Sequence, residues 1–564
     1  MDIVEIIFKI LAGCGAFLLG FKVLSDNMER FAGNSLKKLF NKTSDKRFIN
    51  VGMGAAATAV VQSSSITTVM VVGFVNVGIM SLQQAAAIIM GANIGTTITA
   101  QIAALQAFDI GLVFMLLLFL GVFTDLFAKN DKVKSLGLSL AGLGLVFVGL
   151  DLMADPMAFL KTYPAVTDFL SSISNPILLL FVGIGLTAII QSSSAVTTIV
   201  ISMASAGLII GGGGNSALFI ILGSNIGTCV TALISSIGTS INARRASIIH
   251  LLFNVIGSII FAVMLLLWKN FSEITLEKWF SSPSTQLAMF HTFFNVTCTL
   301  LFLPFTNLLV KAAKILVPDK KKSDKPTAVI YMDKRLLATP TVAIGQLNKE
   351  VFRMADMAME SVQIGFDGFI QRDLEAVDKV LANNEKIMIL GEQISDYLVQ
   401  VSASGISLAD EKIVSALHSN VGDVARIAEL ADNLTKYTTR EVKDNLVFSE
   451  GINEKISDMH DLLRKQYALV KQVALDKNYA VLAESDEVED RIDDMRRDLV
   501  AEHILRLGQG KCRPENNTVF INLVSNLERI GDHLNFIAHS GLGKSENKSE
   551  NRTEKSEVKV EATK

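Results

Sequence analysis

One phrase occurs twice in this 564-residue chain, and no other feature constrains the fold as much. Residues 54–62 read GAAATAVVQ and run into SSSITT, and residues 183–191 read GIGLTAIIQ and run into SSSAVTT. A second phrase follows each copy in the same order: Gly91-Ala92-Asn93-Ile94-Gly95-Thr96-Thr97, then Gly223-Ser224-Asn225-Ile226-Gly227-Thr228-Cys229. Paired phrases in matching order imply an internal duplication. They also place hydroxyl-rich, helix-poor sequence in apolar surroundings, which in a membrane is where substrates bind.

The mean hydropathy of +0.42 averages two unlike halves. Up to about Val317 the chain consists of apolar runs long enough to span a bilayer. Beyond it the sequence is charged, so the net charge of -3 describes neither half. The four cysteines, Cys14, Cys229, Cys298 and Cys512, are too scattered for a disulfide framework or a metal site. Met1 to Leu24 lacks a basic start and a small-residue cleavage site, and reads as a retained span.

Spans are expected at about Ile3–Leu24, Ile110–Ala128, Leu136–Met153, Ala246–Trp268 and Leu287–Val310. A loop carrying Arg30, Lys37, Lys38, Lys42, Lys46 and Arg47 should follow the first, on the cytoplasmic side. Lys129, Lys132 and Lys134, and later Arg244 and Arg245, mark that side again. The acidic loop Ala154–Ser174 reads as external. Between these markers, Phe48–Gln106 and Asn175–Ala243 hold no Lys, Arg, Asp or Glu. The markers orient the two copies oppositely, as in alternating-access carriers.

The expected fold class is all-α: a polytopic membrane protein with an inverted repeat of broken or re-entrant helices, then a soluble helical bundle. Residues 1–317 form the membrane domain, with repeats at about 1–128 and 135–268 and an extra span at about 287–310. A linker covers 318–334 and the bundle 335–540. Its helices are expected around Val351–Val362, Ile387–Val399, Ile413–Leu434, Ile456–Val473, Val488–Leu505 and Val519–Ile537. The Lys-, Glu- and Ser-rich tail 541–564 reads as disordered.

Broken helices survive in hydrocarbon only around a polar cavity. A half-helix N-terminus offers free N–H groups and partial positive charge to an anion. Carbonyls and the oxygens of Ser, Thr, Gln and Asn suit a hard monovalent cation such as sodium. A site of this kind holds an anion and a cation together without fixed charges. With neither histidine nor carboxylate in the core segments, catalysis is not expected. Nothing in the chain points to nucleic acid.

The doubled QSSS, the doubled G-[AS]-N-I-G-T and their inverted setting resemble the type II sodium–phosphate cotransporter family over about Ile3–Val317. The resemblance implies sodium-coupled movement of inorganic phosphate. By position it assigns phosphate to Gln62, Ser63, Ser64, Ser65 and Asn93, and to Gln191, Ser192, Ser193, Ser194 and Asn225. It assigns sodium to Gln191, Ser192, Ser224, Thr228, Thr231 and Thr96. Ala92 stands where the second copy has Ser224, and Cys229 where the first has Thr97, so unequal sodium binding is expected. Asp109 lies near an acidic residue that affects charge coupling in some members, and it also reads as an N-cap of the next span.

Two H-x-x-F-N sequences, His250 to Asn254 and His291 to Asn295, put His and Asn on one helix face. Interhelical hydrogen bonding is the expected role, with a proton relay as the alternative. Glu528 to His533 (ERIGDH), with Glu489 to Asp493 (EDRID) upstream, resembles the PhoU-like bundle, a regulatory module linked to phosphate transport. Each E-x-x-x-D sets two carboxylates one turn apart, so Glu489, Asp493, Glu528 and Asp532 are candidates for a divalent metal. The earlier half has Ala425 where Glu528 stands and is degraded. The expectation is thus a sodium-coupled phosphate carrier in the cytoplasmic membrane, embedded in lipid, with a cytoplasmic domain able to meet phosphate-signalling proteins. A phosphate exporter and a membrane-anchored phosphate sensor are the alternatives.

Overall fold

The computed structural model describes residues 3–40, 44–108, 110–319, 329–448 and 450–540, except the side chains of 3, 32–40, 338 and 450. Asp109 and the tail 541–564 lie outside the described residues, and so do the expectations that fall on them. The chain divides into two compact units, Met1–Lys322 and Ser323–Lys564, and no strand occurs among the described residues.

The first unit opens with α1 (Ile3–Phe40), α2 (Arg47–Val61), α3 (Ser64–Asn76), α4 (Leu82–Ala104) and α5 (Gly111–Phe127). It continues with α6 (Asp131–Leu160), α7 (Pro164–Ser172), α8 (Pro176–Ile190), α9 (Ser193–Ser205), α10 (Ser216–Gly227) and α11 (Cys229–Ser235). It closes with α12 (Ile241–Leu267), α13 (Glu277–Trp279), α14 (Pro283–Phe302) and α15 (Thr306–Leu316). Five helices are long and apolar enough to cross a bilayer, and two bent pairs, α7–α8 at 103° and α14–α15 at 85°, bring the count to as many as seven. At 17 residues, α5 falls at the short end of spanning length.

Three expected boundaries are corrected. The loop after Leu24 is helix, because α1 runs on to Phe40 with no proline or glycine pair to stop it. The loop expected from Ala154 is mostly helix as well, since α6 carries Pro156 within it to Leu160 and α7 follows. The span Leu287–Val310 is bent rather than straight. Pro304 supplies no N–H to continue the helix, and Arg47 braces the corner, donating to Leu303 O at 3.3 Å, Pro304 O at 3.1 Å and Asn307 Oδ1 at 3.1 Å.

Glycines set the helix spacing. A Cβ at Gly20 would lie 2.6 Å from Val146 N and 2.9 Å from Gly142 O, and one at Gly13 would lie 2.8 Å from Gly149 O. The helix preceding each copy, α1 and α6, thus packs against its counterpart, and the pairing 13 with 149 and 20 with 142 makes them antiparallel. Within the copies, a Cβ at Gly54 would collide with the Ile88 carbonyl and one at Gly91 with that of Val51. At Gly183 and Gly223 the same collisions occur with Ile220 and Leu180. So α2 lies on α4 as α8 lies on α10, with backbones in contact through small residues.

The second unit comprises α16 (Pro340–Gln371), α17 (Glu375–Ala403), α18 (Leu408–Lys443), α19 (Glu450–Leu475), α20 (Leu482–Gly508) and α21 (Asn516–His539). These six helices contain the six expected segments and form two three-helix sets, which meet where α18 packs on α21 and α16 on α19. Phe352, Leu347, Ile427, Leu434, Phe520, Leu527 and Ile530 are buried between them.

Replacing Gly54 or Gly91 by alanine should lower thermal stability by about 1–3 kcal/mol through overpacking. The same change at Gly52, exposed within α2 and with nothing within 4 Å of a Cβ, should instead raise stability, by about 0.5–1 kcal/mol. Thermal unfolding of the detergent-solubilised protein measures both.

Candidate functional site

Both copies of the repeated phrase break the helix in the same way. Gln62 closes α2 in the left-handed region at φ 58°, ψ 20°, and Gln191 closes α8 at φ 58°, ψ 25°. Each glutamine N–H donates to the carbonyl four residues back, Thr58 or Thr187, at 2.7 Å. The next residue, Ser63 (φ -144°, ψ 107°) or Ser192 (φ -144°, ψ 105°), is an extended N-cap. Ser63 Oγ accepts from Ile66 N at 3.3 Å, and Ser192 Oγ accepts from Ala195 N at 3.2 Å. The chain thus ends one helix and starts another with the extended N-cap serine directly after the left-handed C-cap glutamine.

No intrahelical carbonyl reaches the first-turn N–H groups of Ser64 and Ser65, or of Ser193 and Ser194. They lie at the positive end of α3 or α9. Ser64 and Ser193 are buried and Ser65 and Ser194 half-buried. The chemistry available is anion recognition by neutral donors.

The side chains around the two breaks differ. In the first copy Gln62 Nε2 donates to Ala59 O, and Thr99 Oγ1 donates to Gln62 Oε1 at 3.0 Å. Gln191 is exposed, and no hydrogen bond holds its side chain among the described residues. Ser25 Oγ also reaches Val61 O at 2.6 Å, completing the end of α2.

The threonines differ in a complementary way. Thr58 Oγ1 and Thr67 Oγ1 are 3.0 Å apart, whereas Val196 stands at the position of Thr67 and leaves the Thr187 hydroxyl, fully buried, without a partner. Thr197 Oγ1 and Ser224 Oγ are 3.4 Å apart, whereas Ala92 stands at the position of Ser224 and leaves the Thr68 hydroxyl without one. Each copy therefore closes the hydroxyl pair that the other leaves open. Sequence reasoning missed these threonines, although the signal was present: counted from the glutamine, Thr67-Thr68 and Thr197-Thr198 are offset by one position.

The remaining expected contacts are engaged within the protein. Asn93 Nδ2 donates to Asn254 Oδ1 at 3.3 Å, and Asn225 Nδ2 turns back to Ile221 O at 3.0 Å. Thr96 Oγ1 reaches Ala92 O at 3.0 Å, Thr228 Oγ1 reaches Asn225 O at 2.6 Å, and Ser224 Oγ also meets Ile221 O at 2.8 Å. Thr231 is half-buried. Cys229 Sγ approaches His250 O at 3.6 Å. The copies meet where α4 packs against α9 and where α3 packs against α11.

In the second unit, Glu489, Asp493 and Asp532 bring one carboxylate oxygen each within 4.8 Å of the others. Hard oxygen donors at that spacing suit a divalent cation. The fourth expected ligand, Glu528, is not in this group and lies 3.9 Å from Arg496. Burial pushes its carboxyl above the usual range, Asp532 and Asp493 push the same way, and Arg496 and Arg529 oppose them.

Residues 16–155 and 163–277 match the Na+/Pi-cotransporter family, and residues 456–540 match the PhoU domain. "Putative inorganic phosphate export protein YjbB" of Escherichia coli (strain K12) is 24% identical over 545 residues, covering 95% of this chain and 97% of the relative. "Uncharacterized protein YqeW" of Bacillus subtilis is 33% identical over 310 residues, 54% of this chain and 96% of the relative. "Sodium-dependent phosphate transport protein 2B" of Homo sapiens is 30% identical over 108 residues, 18% of this chain and 16% of the relative. No solved structure matches.

Glycine at position 62 should remove the Ala59 and Thr99 contacts and lower stability by about 1 kcal/mol. Glycine at position 191 relieves the left-handed backbone with no bond to lose, and should be neutral or stabilising. Melting temperatures of Gln62→Gly and Gln191→Gly test the contrast.

Proposed function

Because the chain belongs to the Na+/Pi-cotransporter family and carries a PhoU domain at its C-terminal end, we propose that it couples sodium to inorganic phosphate by alternating access. The family is one of phosphate transporters and not of enzymes. The observation that carries the finer reading is the doubled left-handed glutamine and N-cap serine, set in segments free of charged residues.

In this reading phosphate is held by the N–H groups and hydroxyls of Ser63, Ser64 and Ser65 and of Ser192, Ser193 and Ser194, with Gln62, Gln191, Asn93 and Asn225 nearby. Sodium uses oxygens of Gln191, Ser192, Ser224, Thr228, Thr231 and Thr96. Residues 1–317 are the transport domain, 318–334 a linker, and 335–540 a regulatory domain on the cytoplasmic side, open to signalling partners. The antiparallel packing of α1 and α6 supports the inverted arrangement that alternating access requires. Each net charge moved through 100 mV adds about 2.3 kcal/mol of drive, so sodium stoichiometry governs how far phosphate is concentrated.

Export is the second reading, favoured by the name of the relatives that match along nearly their whole length. Phosphate flux in proteoliposomes under imposed sodium gradients tests both. Sodium-driven accumulation supports symport, outward-only flux supports export, and flux indifferent to sodium in either direction removes the coupling.

Two substitutions follow from the unequal copies. Ser64→Ala and Ser193→Ala should each cut phosphate flux, by roughly tenfold or more but to different degrees, as expected when one buried donor to an anion is lost. Equal, wild-type flux in both would count against the shared site. In the second unit, Glu489, Asp493 and Asp532 are the proposed divalent ligands. Manganese bound to the intact protein, read by paramagnetic resonance, should vanish in the Glu489→Gln, Asp493→Asn double variant.

A further inference from the structure

The two H-x-x-F-N sequences lie at corresponding places in the fold. His250 and Asn254 are on α12, which packs against α3, the half-helix that follows the first break. His291 and Asn295 are on α14, which packs against α9, the half-helix that follows the second. Both helices also pack against α4. In each motif the asparagine Nδ2 donates to the carbonyl of its own histidine, at 3.0 Å for Asn254 and 2.8 Å for Asn295. Asn254 also supplies the expected interhelical bond, to Asn93.

The imidazoles do not. Both rings are 1% exposed, and all four ring nitrogens are buried without a hydrogen-bond partner. A neutral imidazole carries one N–H and one acceptor nitrogen, and phenylalanine or leucine would fill either position without that polarity. The half-helices facing these seams also carry unpaired hydroxyls: Thr68 on α3, and Thr198 and Ser202, one turn apart, on α9. In both helix pairs, then, each partner carries buried polar atoms without a hydrogen bond.

We propose that His250 and His291 take up and release protons as the carrier turns over, so that phosphate movement is linked to proton movement. In one conformation the free ring nitrogen accepts a proton from water on one side. In the other, the ring gives a proton to the opposite side and is again neutral. Ionisable groups inside a span mark ion pathways by default, and histidine alone among them titrates near neutrality when unperturbed.

The surroundings leave the proton to these rings. Among the elements packed on α12 and α14, α3, α4, α9, α10 and α11 contain no Lys, Arg, Asp or Glu. Beyond them, α12 itself carries Arg244 and Arg245, and the Arg245 guanidinium is committed to Val317 O, Asn242 Oδ1 and Asp319 Oδ1. Lys311 and Lys314 on α15, and Glu273 on the π-helical turn Ser272–Leu276 against α14, are exposed to solvent or lipid. The other titratable groups are the thiols of Cys229, on α11 and directed at the carbonyls of Asn225 and His250, and Cys298, on α14.

This inference rests on the carrier reading. It is tested on the full chain in vesicles, with phosphate and proton movement recorded together at pH 7. Protons carried by phosphate itself are common to every variant. His250→Gln and His291→Gln should each lower the proton-to-phosphate ratio by about one, and an unchanged ratio with flux retained overturns the proposal. A wild type that moves no phosphate would remove the carrier reading instead. Nitrogen NMR of histidine-labelled wild type, with the His250 and His291 signals assigned from whichever variants assemble and by replacing the five other histidines with glutamine where one does not, then decides the proposal. Both imidazoles should change protonation between pH 5.5 and 8 in a phosphate-dependent way, and two rings that stay neutral throughout overturn it.

Discussion

Hydrocarbon offers no partner to a backbone N–H or C=O, and the first unit depends on that constraint. A helix there can be broken only where the freed groups are satisfied at once. The chain does so twice with the same device, a left-handed glutamine whose N–H stays in the helix behind it, followed by an extended serine whose hydroxyl caps the helix ahead. What remains free at each break is a short row of N–H groups at the positive end of a half-helix. The device that closes the break and the N–H groups it leaves free lie within a few residues of each other.

Close packing holds the breaks in place. The glycine contacts of α2 with α4 and of α8 with α10 bring backbone onto backbone, which couples each break to the phrase that follows it in sequence. The glutamines divide the work unequally. Gln62 is bound on both ends of its amide and belongs to the scaffold, while Gln191 is exposed. The first break is thus held by its glutamine side chain and the second is not.

The breaks were legible in the sequence because their causes are local: a glutamine and three serines in an apolar run, repeated. The six helices of the second unit were legible because their apolar spacing recurs over long stretches. Helix ends were not. α1 passes through a cluster of basic residues to Phe40, and α6 carries Pro156 inside it, because packing against neighbouring helices outweighs local signals. Of the four acidic residues expected to meet, three do, and Glu528 turns toward Arg496 instead, a choice fixed by a neighbouring helix and invisible in the E-x-x-x-D spacing. The unpaired imidazoles were also beyond reach, since the sequence places His and Asn on one face but does not say which of them finds a partner across it.

The complementary hydroxyl pairs bear on how such a chain evolves after duplication. Thr67 and Val196 differ in role, and so do Ala92 and Ser224, so at these positions each copy carries one closed pair and one open hydroxyl. Copying either half over the other would give two closed pairs of one kind and none of the other. One change at each of the two aligned positions, 67/196 and 92/224, would make the copies alike there again. As they stand, the two halves are not interchangeable at these positions, and a substitution at either one meets a different partner in each copy.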